Sequence, residues 1–447
     1  MNYLDIINLI TVILFSICGL FTLHFLFFSI VGLFAKKRYP KTDVKMKYGF
    51  VISARNEENV IQNLIESIHK NDYPQDKLQV FVIAHNCTDN TAKIAREAGA
   101  TVYEYNNPNE KTKGYALKYL FEQIQKDYGI TNYDGFFELD ADNILSHDYI
   151  DKMNDAFVAT EGKKIITSFR NSKNFKSNII SGLYGLYFFN GCRLEMRGRT
   201  AVGCSTRVSG TGFLFNSKVV ENGWPYVTLT EDWEFSADQV ISNSNIEFCD
   251  DAMFYDEQPT TFKVMWRQRV RWSRGHLLVF VTRFKSLMKS FFSPKYSHRN
   301  KFSLFDTFVN CTPICLITFS IGLFQLIAYM FAPLAGISFV TALLSWLKMF
   351  GISMAICYVV CLIQAVVVFI AERKRLQGLS FGRIVILSLL WPLFILIQYP
   401  IDIVALFQKN CGWKVIPHTD TTSFENLHNN VEASTETKQG VVENSEI

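Results

Sequence analysis

The sequence predicts an α/β domain set between membrane-spanning helices, on three observations. The first 34 residues, and again those from about Leu304 to Phe407, are dominated by Leu, Ile, Phe and Val, whereas residues 36–301 have the mixed composition of a water-soluble protein. Within that polar stretch, short apolar runs alternate with segments of helical periodicity, the pattern of a mainly parallel sheet. One such run, Phe136-Phe137-Glu138-Leu139, opens after Gly135 and ends in Asp140-Ala141-Asp142-Asn143, two carboxylates one residue apart at the carboxyl edge of a strand.

The overall hydrophobic fraction of 49% hides this division, and 447 residues leave room for two or three domains. A net charge of +4 is too small to argue for nucleic acid as a partner. The basic residues cluster instead beside the apolar segments, where anionic membrane lipid attracts them. Ten cysteines form no Cys-x-x-Cys pair. Cys311, Cys315, Cys357 and Cys361 lie in apolar segments, where cysteine acts as a small hydrophobe, and a reducing cytoplasm suits the insert.

Ile6 to Phe34 is long enough to cross a bilayer core of about 30 Å, and too long, without a basic start, for a cleaved leader. Lys36-Lys37-Arg38 follow, which by the positive-inside rule places the amino terminus outside and the insert in the cytoplasm. Further spans are expected near Asn310–Met330, Gly351–Ile370 and Ile384–Leu406, the second ending at the basic stretch Arg373-Lys374-Arg375. Phe339–Leu347, cut off by Lys348, reads as too short to cross. The last segment carries Pro392, Pro400 and Asp402 and is either a kinked span or a re-entrant hairpin. The expected plan is a spanning helix over 1–38, an α/β domain over 45–260, amphipathic interface helices over 261–302, about three spans over 303–408, and a tail over 409–447 too polar to fold.

In the insert, Tyr48–Ala54 reads as a strand, and Val60, Ile61, Leu64, Ile65 and Ile68 recur at helical spacing. Leu78–Ala84 and Thr101–Tyr105 are further strands, Thr91–Ala98 and Ala116–Ile124 helices, and Phe136–Leu139 the fourth strand. Three loops then converge at the carboxyl ends: Ser53-Ala54-Arg55-Asn56-Glu57-Glu58, His85-Asn86-Cys87-Thr88-Asp89 and Asp140-Ala141-Asp142. No Gly-x-Gly-x-x-Gly or Walker loop is present, which argues against dinucleotide or ATP chemistry. Asp140 and Asp142 are close enough to share one divalent cation, and hard carboxylate oxygens suit Mg2+ or Mn2+. From Lys263 to Lys301, Arg and Lys interleave with Trp266, Leu277, Phe280, Phe284, Leu287 and Phe291, as in helices lying at a membrane surface. Gln268, Arg271 and Trp272 stand at i, i+3 and i+4, one face of such a helix.

Asp140-x-Asp142, Thr230-Glu231-Asp232 and Gln268-Arg269-Val270-Arg271-Trp272 occur in the order and at separations like those found in the membrane-embedded family 2 glycosyltransferases, and Lys113-Gly114 and Ser209-Gly210-Thr211-Gly212 also match family-like positions. The chain from about Tyr48 to Gly275 resembles that group, which includes cellulose, chitin and hyaluronan synthases and ceramide glucosyltransferase. The resemblance implies a GT-A-type, Rossmann-like cytoplasmic domain between transmembrane helices in a multi-pass protein of the cell membrane. It implies a UDP-sugar donor of the UDP-glucose or UDP-N-acetylglucosamine class and a growing β-linked polysaccharide as acceptor, with inversion at the anomeric carbon. Single transfer to a membrane lipid is the alternative, and an export or accessory subunit stays open.

Carried over residue by residue, the resemblance makes Asp232 the general base beside Glu231, and Asp142 the metal ligand ahead of Asp140. Ala54, Asn56, Glu57, His85, Lys113, Asp140 and Arg271 are then expected to hold the nucleotide sugar, and Gln268, Trp272, Gly210 and Thr211 the acceptor. Arg271 suits phosphate oxygens, and Trp272 offers an aromatic face for a sugar ring. His85 is a departure, since many relatives have an aspartate there that contacts the base. A neutral ring would bond uridine differently.

Overall fold

The computed structural model describes residues 2–376, 378–408, 418 and 420–426. The chain opens with a 32-residue helix, α1 (Tyr3–Phe34), capped by Asn2, whose side chain accepts from the Asp5 N–H at 2.9 Å. The insert then alternates as expected: β1 (Tyr48–Ala54), α2 (Ile61–His69), β2 (Leu78–His85), α3 (Thr91–Glu97), β3 (Thr101–Tyr105), α4 (Lys113–Asp127) and β4 (Gly135–Asp140). Beyond it come β5 (Ile144–Leu145), α5 (Tyr149–Ala159), β6 (Ile165–Ser172), α6 (Ile179–Asn190), α7 (Arg197–Ala201), β7 (Phe213–Asn216), α8 (Glu231–Ile241) and β8 (Ile246–Asp256).

Eight strands form one sheet in the order β3-β2-β1-β4-β7-β6-β8-β5. The four strands legible in the sequence are mutually parallel. Beyond β4 the sheet is mixed: β6 and β8 pair parallel, while β7 pairs antiparallel with both β4 and β6 and β5 antiparallel with β8. Two apolar layers sandwich the sheet. Phe50, Ile52, Leu64, Ile65 and Phe137 pack on one face, and Val51, Phe81, Leu120, Phe136 and Phe215 on the other, the alternation of Phe136 and Phe137 following the strand's period of two.

After the sheet, α9 (Phe262–Phe292) runs 31 residues, followed by α10 (His298–Cys311), α11 (Ile314–Met330), α12 (Phe339–Ala371), α13 (Phe381–Leu396) and α14 (Gln398–Phe407). Among the described residues, three helices are long and apolar enough to cross a membrane: Tyr3–Phe34, Phe339–Ala371 and Phe381–Phe407. Two expectations are corrected here. Phe339–Leu347 is no separate short segment, because α12 carries it through Lys348 without a break into Gly351–Ile370, as one Lys near a helix end does not stop a helix. Nor is Asn310–Met330 one straight span: the chain breaks at Thr312-Pro313, where Pro cannot continue the hydrogen-bond ladder, and α10 and α11 meet at a bend of 58°.

The membrane helices are keyed to the domain by charge. Lys36 pairs with Asp251 and lies 3.4 Å from Asp250, while Arg197 and Arg375 reach Asp250 at 3.2 and 3.3 Å. The ends of α1 and α12 therefore meet the same edge of β8. Gly32 and Gly198 allow the closest approach: a Cβ on Gly198 would stand 2.0 Å from the Phe28 carbonyl oxygen, and one on Gly32 2.4 Å from that of Arg193.

Only a few residues of the tail are among those described. Residues 409–417, 419 and 427–447 lie outside the described residues, but Phe424 is buried against Ile144 and Tyr255, so the stretch around it folds onto the domain. A single large aromatic, rather than average polarity, decides its docking.

Candidate active site

The carboxyl ends of β1, β2 and β4 open into a cavity of about 470 Å³. Twelve of the fourteen residues expected at the site line it: Glu57, His85, Lys113, Asp140, Asp142, Gly210, Thr211, Glu231, Asp232, Gln268, Arg271 and Trp272. Ala54 and Asn56 do not. Ala54 points into the core as the last residue of β1, and Asn56, at φ 58°, turns its side chain to accept the Thr88 N–H at 2.8 Å. Asn56 thus shapes the loop, since Asn tolerates the left-handed region and substitutes for a backbone acceptor.

Asp142 is buried at the wall of the cavity, accepting from the Glu257 N–H at 2.9 Å and from Asn143 at 3.1 Å. Burial alone would raise its pKa, but His418, Lys173, Arg170 and that N–H outweigh it and hold the carboxyl below its usual range, so it is ionised. Asp140 is held from both sides: its N–H donates to Thr211 Oγ1 at 2.8 Å, and its carboxylate pairs with Lys113. Lys113 also pairs with the buried Glu138 and donates to the Gly210 carbonyl at 2.7 Å. It bridges the strand that bears Asp140 and the turn that faces Asp232, where a Cβ on Gly210 (φ 81°) would lie 3.6 Å from Asp232 Oδ2. Among the described residues, no three His, Cys, Asp or Glu side chains close into a metal cluster. The ionised, half-satisfied Asp142 nonetheless suits a hard cation.

Glu231 and Asp232 open α8, with their side chains at the cavity. Burial, reinforced by the neighbouring Asp232, pushes Glu231 up to about 7, and burial raises Asp232. Glu234 turns away and accepts from Arg283 at 2.7 Å and Thr228 at 2.9 Å. Gln268, Arg271 and Trp272 occupy one face of α9, as their spacing predicts. Arg271 donates to the Leu229 carbonyl at 2.9 Å, which ties α9 to the loop before Asp232. Trp272 packs edge-on against Tyr184 and Phe188, and the buried Oε1 of Gln268 has no hydrogen-bond partner among the described residues. An acceptor hydroxyl would satisfy it.

Helix α9 approaches α8 so closely that a Cβ on Gly275 would fall 2.3 Å from Thr230 Cγ2 and Oγ1. Gly275→Ala is therefore expected to push Thr230, and with it Asp232, out of place. Overpacking of this kind costs about 1–3 kcal/mol, which should appear as a lower unfolding temperature of the purified variant.

His85 sits under the loop with its ring stacked on Tyr105 and its Nε2 at 2.8 Å from the Glu110 carbonyl, to which it donates. Burial lowers its pKa, so the ring is neutral and Nδ1 is left as an acceptor.

Sequence reasoning missed several lining residues. Arg170, on the unassigned strand β6, pairs with the buried Asp256, donates to the Ser209 carbonyl at 2.9 Å and lies 3.8 Å above the Phe188 ring. The β-branched and aromatic residues Ile165, Ile166, Thr167 and Phe169 were the available signal for a strand. Arg207 is bound to Glu195 at 2.7 Å and faces Trp233, which also packs on His276. Asn190, Cys192 and Glu195 reach the cavity because residues Gly191–Met196 form a π-helical segment between α6 and α7, a local widening with no sequence signature. His418, from the tail, stands 2.8 Å from Glu57 and 3.9 Å from Asp142. At the opposite end the cavity reaches Gln364 of α12 and Ile395 of α13.

A family model described as "Glycosyltransferase like family 2" matches residues 46–275, just over half of the chain. The chain is 26% identical over 263 residues to the probable glycosyltransferase YdaM of Bacillus subtilis, covering 57% of this chain and 60% of that protein. It is equally 26% identical over 259 residues to the poly-beta-1,6-N-acetyl-D-glucosamine synthase of Staphylococcus aureus, covering 55% and 58% of the two chains. The matched segment thus spans about three fifths of these relatives. In fold, the structure is similar to a mannosyltransferase of Pyrobaculum calidifontis solved with GDP-Man and Mn2+, with a TM-score of 0.58 and 15% identity, over 84% of this chain and all of the other. Since that family model matches more than half of the chain, the chain belongs to the family 2-like glycosyltransferases.

Proposed function

We propose that the protein is a multi-pass membrane glycosyltransferase that moves a hexose or N-acetylhexosamine from UDP to a growing β-linked polysaccharide at the cytoplasmic face, inverting the anomeric centre. One observation carries this reading: a single cavity is lined by Asp142, by Asp232 at the start of α8 and by Trp272 of α9, and it extends to Gln364 of α12 and Ile395 of α13. The name of the Staphylococcus relatives, synthases of an N-acetylglucosamine polymer, supports that donor and product class. The basic ends of α1 and α12, both meeting Asp250, support an insert on the cytoplasmic side of both spans.

Asp142, with Asp140 beside it, is the residue to hold Mg2+ or Mn2+, and a bound cation supplies charge neutralisation for the departing diphosphate. Arg271, anchored to Leu229, keeps its remaining N–H groups for phosphate oxygens, and His85 offers Nδ1 to the base. Asp232 takes the proton of the acceptor hydroxyl as that oxygen attacks the anomeric carbon and the C–O bond to the diphosphate breaks. One displacement inverts the centre. Trp272 and Gln268 position the acceptor ring.

The carboxyl pair sets the pH response. Both pKa values are raised, Glu231 to about 7, so the pair keeps a proton to higher pH than ordinary carboxyls do. The base must be unprotonated, so rates should fall as pH drops through an acid limb above the ordinary carboxylate range, raised by the burial of Asp232. Initial rates from pH 5 to 9 at saturating donor check this.

To test the reading, purified protein in lipid is incubated with a panel of UDP-sugars and Mn2+, and the products are sized. A ladder supports polymer synthesis; one lipid-soluble species means single transfer to lipid; no turnover of any UDP-sugar overturns both. Trp272→Ala should reduce transfer to acceptor by about 10–100-fold, the scale of a lost stacking contact, and slow donor hydrolysis far less. Equal loss of both would argue against stacking.

A further inference from the structure

A second cavity, of about 700 Å³, lies where α1 ends and α10 begins, and shares no lining residue with the catalytic one. Lys37, three residues past the end of α1, lines it together with Lys164, just before β6, and with His298 and Arg299 in the first turn of α10. The packing of α10 along α1 fixes the level. Phe302, one turn into α10, packs on Phe28 at 5.5 Å, and Asp306, a further turn on, meets His24 at 2.9 Å. The cavity therefore sits at the domain end of α1, beside Phe34, which is 85% exposed. If α1 crosses the bilayer, that is the depth of the lipid head groups.

Its charges do not cancel. Glu247, which also lines it, is already occupied, since Lys37 pairs with it and the Tyr39 hydroxyl donates to it at 2.9 Å. Lys164 and Arg299 have no carboxylate within ion-pair distance among the described residues. Burial lowers the pKa of the half-buried Lys164 against the pull of Glu247, and Lys37 lowers it further, so its charge is stabilised by any anion that enters. Gly203 (φ 74°) makes room for Arg299: a Cβ there would stand 2.9 Å from a guanidinium nitrogen. The open N–H groups of the first turn of α10 add partial positive charge. One acceptor is left over. Asn245 lines the cavity, is 7% exposed and donates to Asn300 at 3.2 Å, but its Oδ1 has no hydrogen-bond partner among the described residues. A ligand hydroxyl would satisfy it.

We propose that this cavity binds the head group of an anionic phospholipid carrying a free hydroxyl, of the phosphoglycerol kind, with its phosphodiester between Lys164 and Arg299 and its hydroxyl on Asn245. Position favours a lipid over a free phosphate: acyl chains attached to that head group run along the exposed Phe34 and the apolar surface of α1, and basic residues at this depth attract anionic lipid. The volume is within the range of about 300–1,000 Å³ typical of small-ligand sites. One lipid then ties the end of α1 to β6 and α10.

The test needs no sugar donor, so it stands apart from the catalytic reading. The full-length protein is extracted from vesicles of equal parts phosphatidylglycerol, phosphatidylmethanol and phosphatidylcholine, and the lipid it retains is counted by native mass spectrometry. The expected result is one phosphatidylglycerol per chain, favoured about tenfold or more over phosphatidylcholine, the scale of two basic contacts at a membrane surface. Phosphatidylmethanol, with the same charge and no hydroxyl, should fall between them. Lys164→Gln with Arg299→Gln should bring the preference for phosphatidylglycerol over phosphatidylcholine to within about threefold, two basic contacts being lost, at an unchanged unfolding temperature. Lys285→Gln with Lys289→Gln, which removes two charges of α9 outside the cavity, should leave it as in the parent. Equal retention of phosphatidylglycerol and phosphatidylcholine by the parent, or equal loss in the two double variants, overturns the site. Release of the lipid by excess inorganic phosphate overturns the lipid assignment in favour of a free anion, and equal retention of phosphatidylglycerol and phosphatidylmethanol overturns the role of Asn245.

Discussion

Asp232→Asn is expected to lower sugar transfer by about 10²–10⁴-fold, the range lost when a general base is removed, with UDP affinity unchanged within about threefold. Asn keeps the shape of the side chain but takes no proton. Asp232 stands at the start of α8 on the opposite side of Lys113 and Gly210 from Asp140, so donor contacts on the β4 side are untouched. Rates and calorimetric UDP binding on the same preparation decide it. Full activity in the purified variant would sink the assignment of the base, and simultaneous loss of UDP binding would show that Asp232 holds the α8 loop rather than the proton.

The second large effect is expected far from the cavity. Asp306 on α10 is 3% exposed and accepts two hydrogen bonds from Arg199, at 2.7 and 3.0 Å, and one contact from His24 of α1 at 2.9 Å. Arg199 is itself 1% exposed. Asp306→Ala leaves that buried guanidinium with only its 3.3 Å contact to Glu195, a loss of about 3–5 kcal/mol. It should appear as a much lower unfolding temperature in detergent and faster proteolysis of α1 from the domain. Arg199→Met combined with Asp306→Leu removes both charges at once and should recover most of the stability. If Asp306→Ala melts like the parent, the network does not hold α1 in place.

The first four strands and three helices of the insert were legible because each is a local pattern: apolar runs of strand length, then residues at 3.6 spacing, with loops of Ser, Asn and Asp between. Gln268, Arg271 and Trp272 were placed on one face by the same arithmetic. The second half of the sheet was not legible. β7 has four residues and β5 two, too short for a period to show, and their antiparallel pairing depends on partners distant in the chain, from 46 residues for Thr167–Phe213 to 111 for Ile144–Tyr255. The break between α10 and α11 had a local cause in Pro313. Hydropathy averaged over a window passed across it.

Local sequence determined the two compositional classes, the polarity of each strand face and the acids at the strand and helix ends, because these depend on residues within a turn or two of each other. Folding alone decided that Ala54 and Asn56 serve the scaffold while Arg170, Arg207 and His418 reach the cavity. Those three come from a strand, a loop and a tail brought together by packing, Phe424 against Ile144 being the contact that brings in the last. Such contacts join residues hundreds of positions apart, and no periodicity along the chain records them.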